Sequence, residues 1–385
     1  MDLKQKSINL HKKHKGKISI QSKISLKNKD DLSLAYTPGV AEVCKVIEKN
    51  SQQAYDLTSM KNTVAVVTDG SAVLGLGNIG GLASLPVMEG KAILFKEFGG
   101  VDAIPITINS LEVEKIVETI KLIAPTFGGI NLEDIAAPRC FEIEERLRNE
   151  LDIPVFHDDQ DGTAIVVLAG LINALKLVGK NKDNTKIVIN GSGAAGIAIA
   201  RLLRDYGVGN IIVCDSKGII SKERDDLNQY KKELLNYTNL DNSSGTLEEA
   251  MDNTDVFVGV SVGGVLNFNM IKKMKKDPIV FAMANPIPEI MPNDALSAGA
   301  RIVATGRSDF PNQLNNVLVF PGVFKGLLKA RCQINNQMKI SVAQVIADFV
   351  EKDLSEEKII PSPFEYELYD VVAETIYKLS TSKND

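Results

Sequence analysis

The sequence predicts an α/β protein of two units, an N-terminal α/β unit followed by a doubly wound parallel sheet. Three observations carry this. From Gly162 onward short apolar runs alternate with helical stretches, the pattern of a parallel sheet with helices on both faces. One of these runs feeds a glycine-rich turn and then a helix. A chain of 385 residues is long enough for two cores.

Taken in order, the chain opens on a basic arm (Lys4, Lys6, Lys12, Lys13, Lys15, Lys17) that lacks the apolar core of a secretion signal and reads as solvated. Residues 63–68 form an apolar strand. Gly75, Gly77 and Gly80 then fit G-x-G-x-x-G, but residues 69–74 separate them from that strand. Pro86 and Gly90 suit a following helix poorly, so this segment is expected to be a loop lining a site. Cys140, Ile143, Leu147 and Leu151 form a helical stripe. The boundary is expected near Ile153–Pro154, giving units 1–155 and 156–385. Residues 163–178 are apolar nearly all round, a buried helix. Apolar runs at 186–189, 210–214, 255–260, 279–284 and 301–305 read as strands, with helices at 197–206, 246–251, 267–274 and 293–298 between them. Two amphipathic helices close the chain, one through Val342, Ile346 and Phe349, the other through Leu368, Val372 and Ile376.

The run at 186–189 leads directly into Asn190-Gly191-Ser192-Gly193-Ala194-Ala195-Gly196. In a Rossmann-like unit the first glycine allows the tight turn, the second lets backbone approach a pyrophosphate, and the third lets helix and strand pack closely. Free N–H groups at the helix start then face the phosphates. Asp215 lies 19 residues beyond Gly196, where a carboxylate can hold an adenosine ribose. Gly191, Gly193, Ala194, Ala195, Gly196 and Asp215 are therefore the expected nucleotide-binding residues. Asp215 favours NAD over NADP, although Lys217, Lys222 and Arg224 could offset its charge.

Composition excludes several classes. A net charge of -5 argues against nucleic acid as a partner. No apolar run looks long and charge-free enough to span a bilayer. The four cysteines form no C-x-x-C pair, and Cys44 and Cys214 sit among apolar residues as buried thiols do; a reducing cytoplasm fits. Of three histidines, two lie in the basic arm, leaving His157 alone near any motif. Proton transfer must then fall to Lys, Tyr, Asp or Glu.

Polar clusters at loop positions supply those groups: Glu133-Asp134, His157-Asp158-Asp159-Gln160-Asp161, Asn285, and Asn315-Asn316. Carboxylates without Cys or His clusters suit Mg²⁺ or Mn²⁺, although adjacent loop acids are more often solvated charge or helix caps. Tyr36, in Tyr36-Thr37-Pro38-Gly39-Val40, and Lys91, in Met88-Glu89-Gly90-Lys91, are the remaining candidates. Beside apolar neighbours Lys91 could be desolvated, which would lower its pKa toward that of a base.

Together these segments resemble the malic enzymes in their short prokaryotic form, from Asp31 to the C-terminus. The Tyr-Thr-Pro, Gly-Leu-Gly-Asn-Ile-Gly, Glu-Gly-Lys, Asn-Leu-Glu-Asp, His-Asp-Asp-Gln and Asn-Asn-Val motifs occur in that order. The resemblance implies an N-terminal malic-enzyme domain before the NAD(P)-binding one. It implies divalent-metal-dependent oxidative decarboxylation of (S)-malate to pyruvate and CO₂, with reduction of NAD(P)⁺, by a homodimer or higher homo-oligomer. Tyr36 would be general acid and Lys91 general base, with Asp158 supporting proton transfer. Glu133, Asp134 and Asp159 would hold Mg²⁺ or Mn²⁺. Asn285 and Asn315 would hold the substrate, Asn285 also meeting the cofactor. Two departures stand out. Ser71-Ala72-Val73 occupies the segment where long forms carry an arginine, and Asp161 replaces a His common in short forms, adding negative charge beside the metal acids.

Two rivals remain from the residues alone. A metal-independent 2-hydroxy-acid dehydrogenase needs a His–Asp relay and an arginine clamp, and it leaves the acid clusters unexplained. A non-catalytic NAD-binding redox sensor has no use for Lys91 or those acids.

Overall fold

The computed structural model describes residues 2–382. Its first sheet holds four parallel strands, β1 (Thr63–Thr68), β2 (Asp102–Thr107), β3 (Gly129–Leu132) and β4 (Val155–His157), in the order β2-β1-β3-β4. The second holds β5 (Lys186–Asn190), β6 (Asn210–Asp215), β7 (Gly218–Ile219), β8 (Val256–Gly259), β9 (Ile279–Ala282) and β10 (Ile302–Thr305), in the order β10-β9-β8-β5-β6-β7. Only the short β7 is antiparallel. Strands such as β1, β3, β8 and β9 are buried along their whole length, which is why they read as unbroken apolar runs rather than alternating ones. The chain order reverses at β5, flanked by β6 and β8, and such a switch point opens a crevice at the carboxyl ends of the strands.

The helix Gly80–Gly99 corrects the expectation that Pro86 and Gly90 would exclude one. It buries Met88, Lys91, Ala92 and Phe95, and Phe95 packs on Phe320 and Phe324 at ring distances of 4.6 and 5.2 Å. Burying Met88 and Phe95 at roughly 1.5–3 kcal/mol each offsets a proline penalty of about 3 kcal/mol. The aromatic partners lie on the helix Phe320–Ala330, which packs against Glu367–Thr381, so C-terminal helices cover the first sheet's unit and one apolar core runs through both.

The helix Thr163–Val178 and the turn Asp158–Gly162 before it form a 21-residue stretch with the length and hydropathy of a membrane span. This corrects the sequence expectation that no such run exists, but 72% of its apolar window is buried inside the chain. The helices Leu3–His14, Lys29–Ala35 and Val40–Lys49 bury no residue. Cys44 is consequently exposed, not buried as its apolar neighbours suggested.

Candidate functional site

Parallel register assembles the acids. Val67 pairs with Leu132, and Leu132 pairs with His157, so the residues that follow emerge side by side at the carboxyl edge of the first sheet. Glu133-Asp134 leaves β3 there, and Asp158-Asp159 leaves β4. Asp134 adopts φ 54, and its backbone N–H donates to Asp159 Oδ2 at 2.8 Å. Lys91 enters from the buried face of Gly80–Gly99. Its Nζ lies 2.5 Å from Asp158 Oδ2, 2.9 Å from Glu133 Oε1, and 4.1 Å over the ring of Phe320. Asn131 Nδ2 donates to the other Glu133 oxygen at 2.9 Å. The structure thus brings Lys91, Glu133, Asp134, Asp158 and Asp159 into one cluster, buried except for the partly exposed Asp159.

The electrostatics correct one expectation. Burial does work to lower the pKa of Lys91, but the Asp158 and Glu133 carboxylates override it and hold the ammonium above its usual range. The acids move the other way. Burial raises Glu133 and Asp158 to about 7, Asp134 to about 9 and Asp159 to about 6, with mutual repulsion adding to each. Burial also lowers His157 to about 4, leaving a neutral ring in the core beneath the cluster.

A cation would relieve that repulsion. Glu133, Asp134 and Asp159 each offer a carboxylate oxygen, all within 4.8 Å of one another. Asp134 Oδ2 is buried with no hydrogen-bond partner. Oxygen donors alone, with one lysine against four acids, fit Mg²⁺ or Mn²⁺.

These shifts have a stability consequence. Carboxyls raised above their unfolded values stabilise the fold below the unfolded pKa and lose that contribution as pH rises through the folded pKa. The loss begins near the unfolded carboxyl values of about 4, is complete for Asp159 at about 6, and finishes for Glu133, Asp158 and lastly Asp134 between about pH 6 and about pH 9. The Tm of chelator-treated protein should therefore fall across that range. Mn²⁺, which favours the ionised acids, should raise Tm most at the alkaline end. A Tm of chelated protein that rises from pH 6 to 9 would contradict these environments.

The other expected residues lie elsewhere. Tyr36 is 66% exposed at the end of Lys29–Ala35, outside the buried cluster. Asn285 follows β9 and lies against the Gly-Leu-Gly loop, where a Cβ on Gly75 would meet Pro286 Cδ at 3.0 Å and the Asn285 carbonyl oxygen at 3.2 Å. Asn315 Oδ1 caps its own turn through the Val317 N–H at 2.9 Å, while Asn316 lies against Gly162. At the Ser71 segment, Arg139 reaches Asp69 at 2.8 Å and Ser71 Oγ at 3.0 Å. Sequence reasoning missed Arg139 and Phe320, whose only signals were an arginine at a helix start and an aromatic in an apolar run.

At the second sheet, Gly191 has φ 124 and its N–H donates to the Cys214 carbonyl. A Cβ on Gly196 would lie 1.8 Å from the Gly191 carbonyl oxygen, whereas one on Gly193 meets nothing within 4 Å. The third glycine is thus demanded by packing and the second is open to a ligand. The helix Ala194–Tyr206 begins there. Asp215 does end β6, but it is already engaged. Arg224 donates to both its oxygens at 2.8 and 3.0 Å, and Lys231 to one at 2.6 Å. Against its burial, these bonds depress its pKa to about 2.

The sequence matches two family profiles, "Malic enzyme, N-terminal domain" over residues 14–148 and "Malic enzyme, NAD binding domain" over residues 160–366. It is 57% identical over 381 residues to the bifunctional malic/malolactic enzyme of Bacillus subtilis, covering 98% of this chain and 93% of that one. It is 54% identical to the NAD-dependent malic enzyme of Geobacillus stearothermophilus, covering 96% and 78%. The Escherichia coli NADP-dependent malic enzyme is 44% identical, with 98% of this chain aligned to 52% of that longer protein. Among solved structures, the NAD-dependent malic enzyme of Thermotoga maritima superposes with a TM-score of 0.94 at 48% identity, covering 98% of this chain and 99% of that one.

Proposed function

The chain belongs to the malic enzyme family, and we propose that the Lys91 cluster carries the oxidative decarboxylation of malate to pyruvate and CO₂ with reduction of NAD(P)⁺. The observation that supports this reading is the lysine held between two acids beside three converging carboxylate oxygens. NAD(P)⁺ supplies the hydride acceptor, and a divalent ion held by Glu133, Asp134 and Asp159 would supply Lewis-acid stabilisation of charge developing on the substrate. Lys91 rests as an ammonium and takes the hydroxyl proton as it passes its own to Asp158, the carboxylate 2.5 Å away. The ring of Phe320 closes the far side of the amine. Asn285 and Asn315 would hold the substrate carboxylates, and Tyr36 would be the acid for carbon protonation.

That last role requires the N-terminal arm to come over the cluster. The arm leaves Leu3, Ile8, Leu10, Leu34 and Tyr36 exposed, and we infer that a homo-oligomer, a homodimer at the least, covers this surface. The free thiols are in keeping with a reducing cytoplasm.

The direct test follows NADH, pyruvate and lactate from malate and NAD⁺, with and without Mn²⁺. NADH and pyruvate in equal amounts, abolished by chelator, are expected. Lactate without free NADH would point instead to the malolactic chemistry named for the Bacillus subtilis relative.

Cofactor choice follows from Asp215. With Arg224 and Lys231 on its oxygens, the end of β6 is no longer a bare acid, so the basis for an NAD preference is gone and NADP is expected to serve as well. Arg224→Ala should raise the KM for NADP by about tenfold or more, the worth of one charged hydrogen bond, with a smaller effect on NAD. Equal effects on both cofactors would remove Arg224 from the 2′-phosphate.

A further inference from the structure

Successive side chains of the turn Asp158–Gly162 serve two neighbourhoods. Asp158 and Asp159 meet Lys91 and the Asp134 amide. Gln160 and Asp161 join a second buried cluster. Gln160 Nε2 donates to Glu144 Oε2 at 2.7 Å, and Lys339 Nζ donates to Asp161 Oδ1 at 2.5 Å. Arg148 Nη1 stands 3.6 Å from Glu144 and 3.9 Å from Asp161, while its Nη2 donates to the Ile334 carbonyl. Glu144 and Arg148 come from the helix Arg139–Glu150, and Lys339 from Asn336–Asp348, far along the chain.

We propose that Lys339 is a positioning residue for the reaction, holding Asp161 so that the turn presents Asp158 to Lys91 and Asp159 to Glu133 and Asp134. Two observations carry this. The ion pair links the turn to the helix Asn336–Asp348, and it lies two residues from Asp159, so movement at Asp161 has little backbone in which to dissipate. On the other side the turn has no slack, since a Cβ on Gly162 would lie 1.9 Å from Asp158 Oδ1 and 3.2 Å from Asn316 Cβ. The extra negative charge of Asp161 is thus spent on Lys339 and Arg148 rather than on the metal acids. Partners that orient metal ligands from behind typically change metal affinity or activity by about 10–100-fold when removed.

The inference rests on the metal reading, and the test separates the two. Removing Lys339 alone leaves the buried Asp161 carboxylate with only the more distant Arg148 and destabilises for that reason, so the informative variant removes both charges, Asp161→Asn with Lys339→Met. Mn²⁺ binding to the full-length, chelator-stripped protein is measured without substrate by the paramagnetic resonance of free Mn²⁺, alongside Tm and NAD(P)⁺ affinity. The double variant should keep a Tm near wild type and unchanged NAD(P)⁺ affinity, while Mn²⁺ affinity falls by about 10–100-fold. Wild-type Mn²⁺ affinity in the folded double variant would overturn the proposal. Should that variant not fold, Lys339→Arg decides, because it keeps the charge but moves the contact. A few-fold loss of Mn²⁺ affinity with NAD(P)⁺ unaffected supports positioning, and no loss overturns it. Wild-type protein that binds no Mn²⁺, or Asp159→Ala that binds it as well as wild type, would overturn the metal reading itself and this inference with it.

Discussion

Lys91→Met is expected to lower kcat for malate oxidation by about 10²–10⁴-fold, the usual worth of general acid–base catalysis. Methionine keeps the stem against Phe320 and removes the amine that bridges Asp158 and Glu133. The KM for malate should change much less, because Lys91 is not a carboxylate anchor in this account. The stripped acids will protonate rather than remain as buried charge, so the variant should fold, and its Tm should be measured in parallel. Reduction of oxaloacetate by NADH separates Lys91 from Tyr36. It needs a proton at the C2 oxygen and none at C3, so Lys91→Met should lose it and Tyr36→Phe should keep it. Equal loss in both folded variants would end the division of roles.

Gly193→Val should abolish nucleotide binding while leaving the fold intact. A side chain there meets no protein atom within 4 Å, yet it stands at the start of Ala194–Tyr206, where backbone must approach a pyrophosphate. Gly196→Val would not be a clean test, since a Cβ at 1.8 Å from the Gly191 oxygen breaks the packing of helix on strand. Gly77→Val is the control. A Cβ there also meets nothing within 4 Å, but its φ of 71 strains a valine, so the fold of this variant is checked first, and NAD(P)⁺ affinity by calorimetry should survive it. The reverse ranking would place the cofactor at the wrong sheet.

Much of this is legible in the sequence because it is local. The glycine turn, its flanking strands and the acids at 133–134 and 158–159 are each encoded within a few residues, and parallel register then brings strand ends together. Contacts made by distant residues are not legible. Asp215 promises an NAD ribose and the nearby Arg224 can be seen as an offset, but the second cation on it, Lys231, lies 16 residues on. Asp161 looks like surplus charge because its partner is 178 residues away. Lys91 is expected to be desolvated among apolar side chains; the burial is real, but two carboxylates share it and reverse the shift. The helix Gly80–Gly99 is hidden by Pro86 because local propensity carries no record of the core it would fill.

Everything proposed for the reaction depends on Glu133, Asp134 and Asp159 holding the metal beside Lys91. Anomalous scattering from crystals soaked in Mn²⁺ locates that ion without reference to activity. One strong peak per chain is predicted among the carboxylate oxygens of these three residues, absent from crystals of Asp159→Ala. A peak bound elsewhere, or none in protein that still turns malate over, would contradict it.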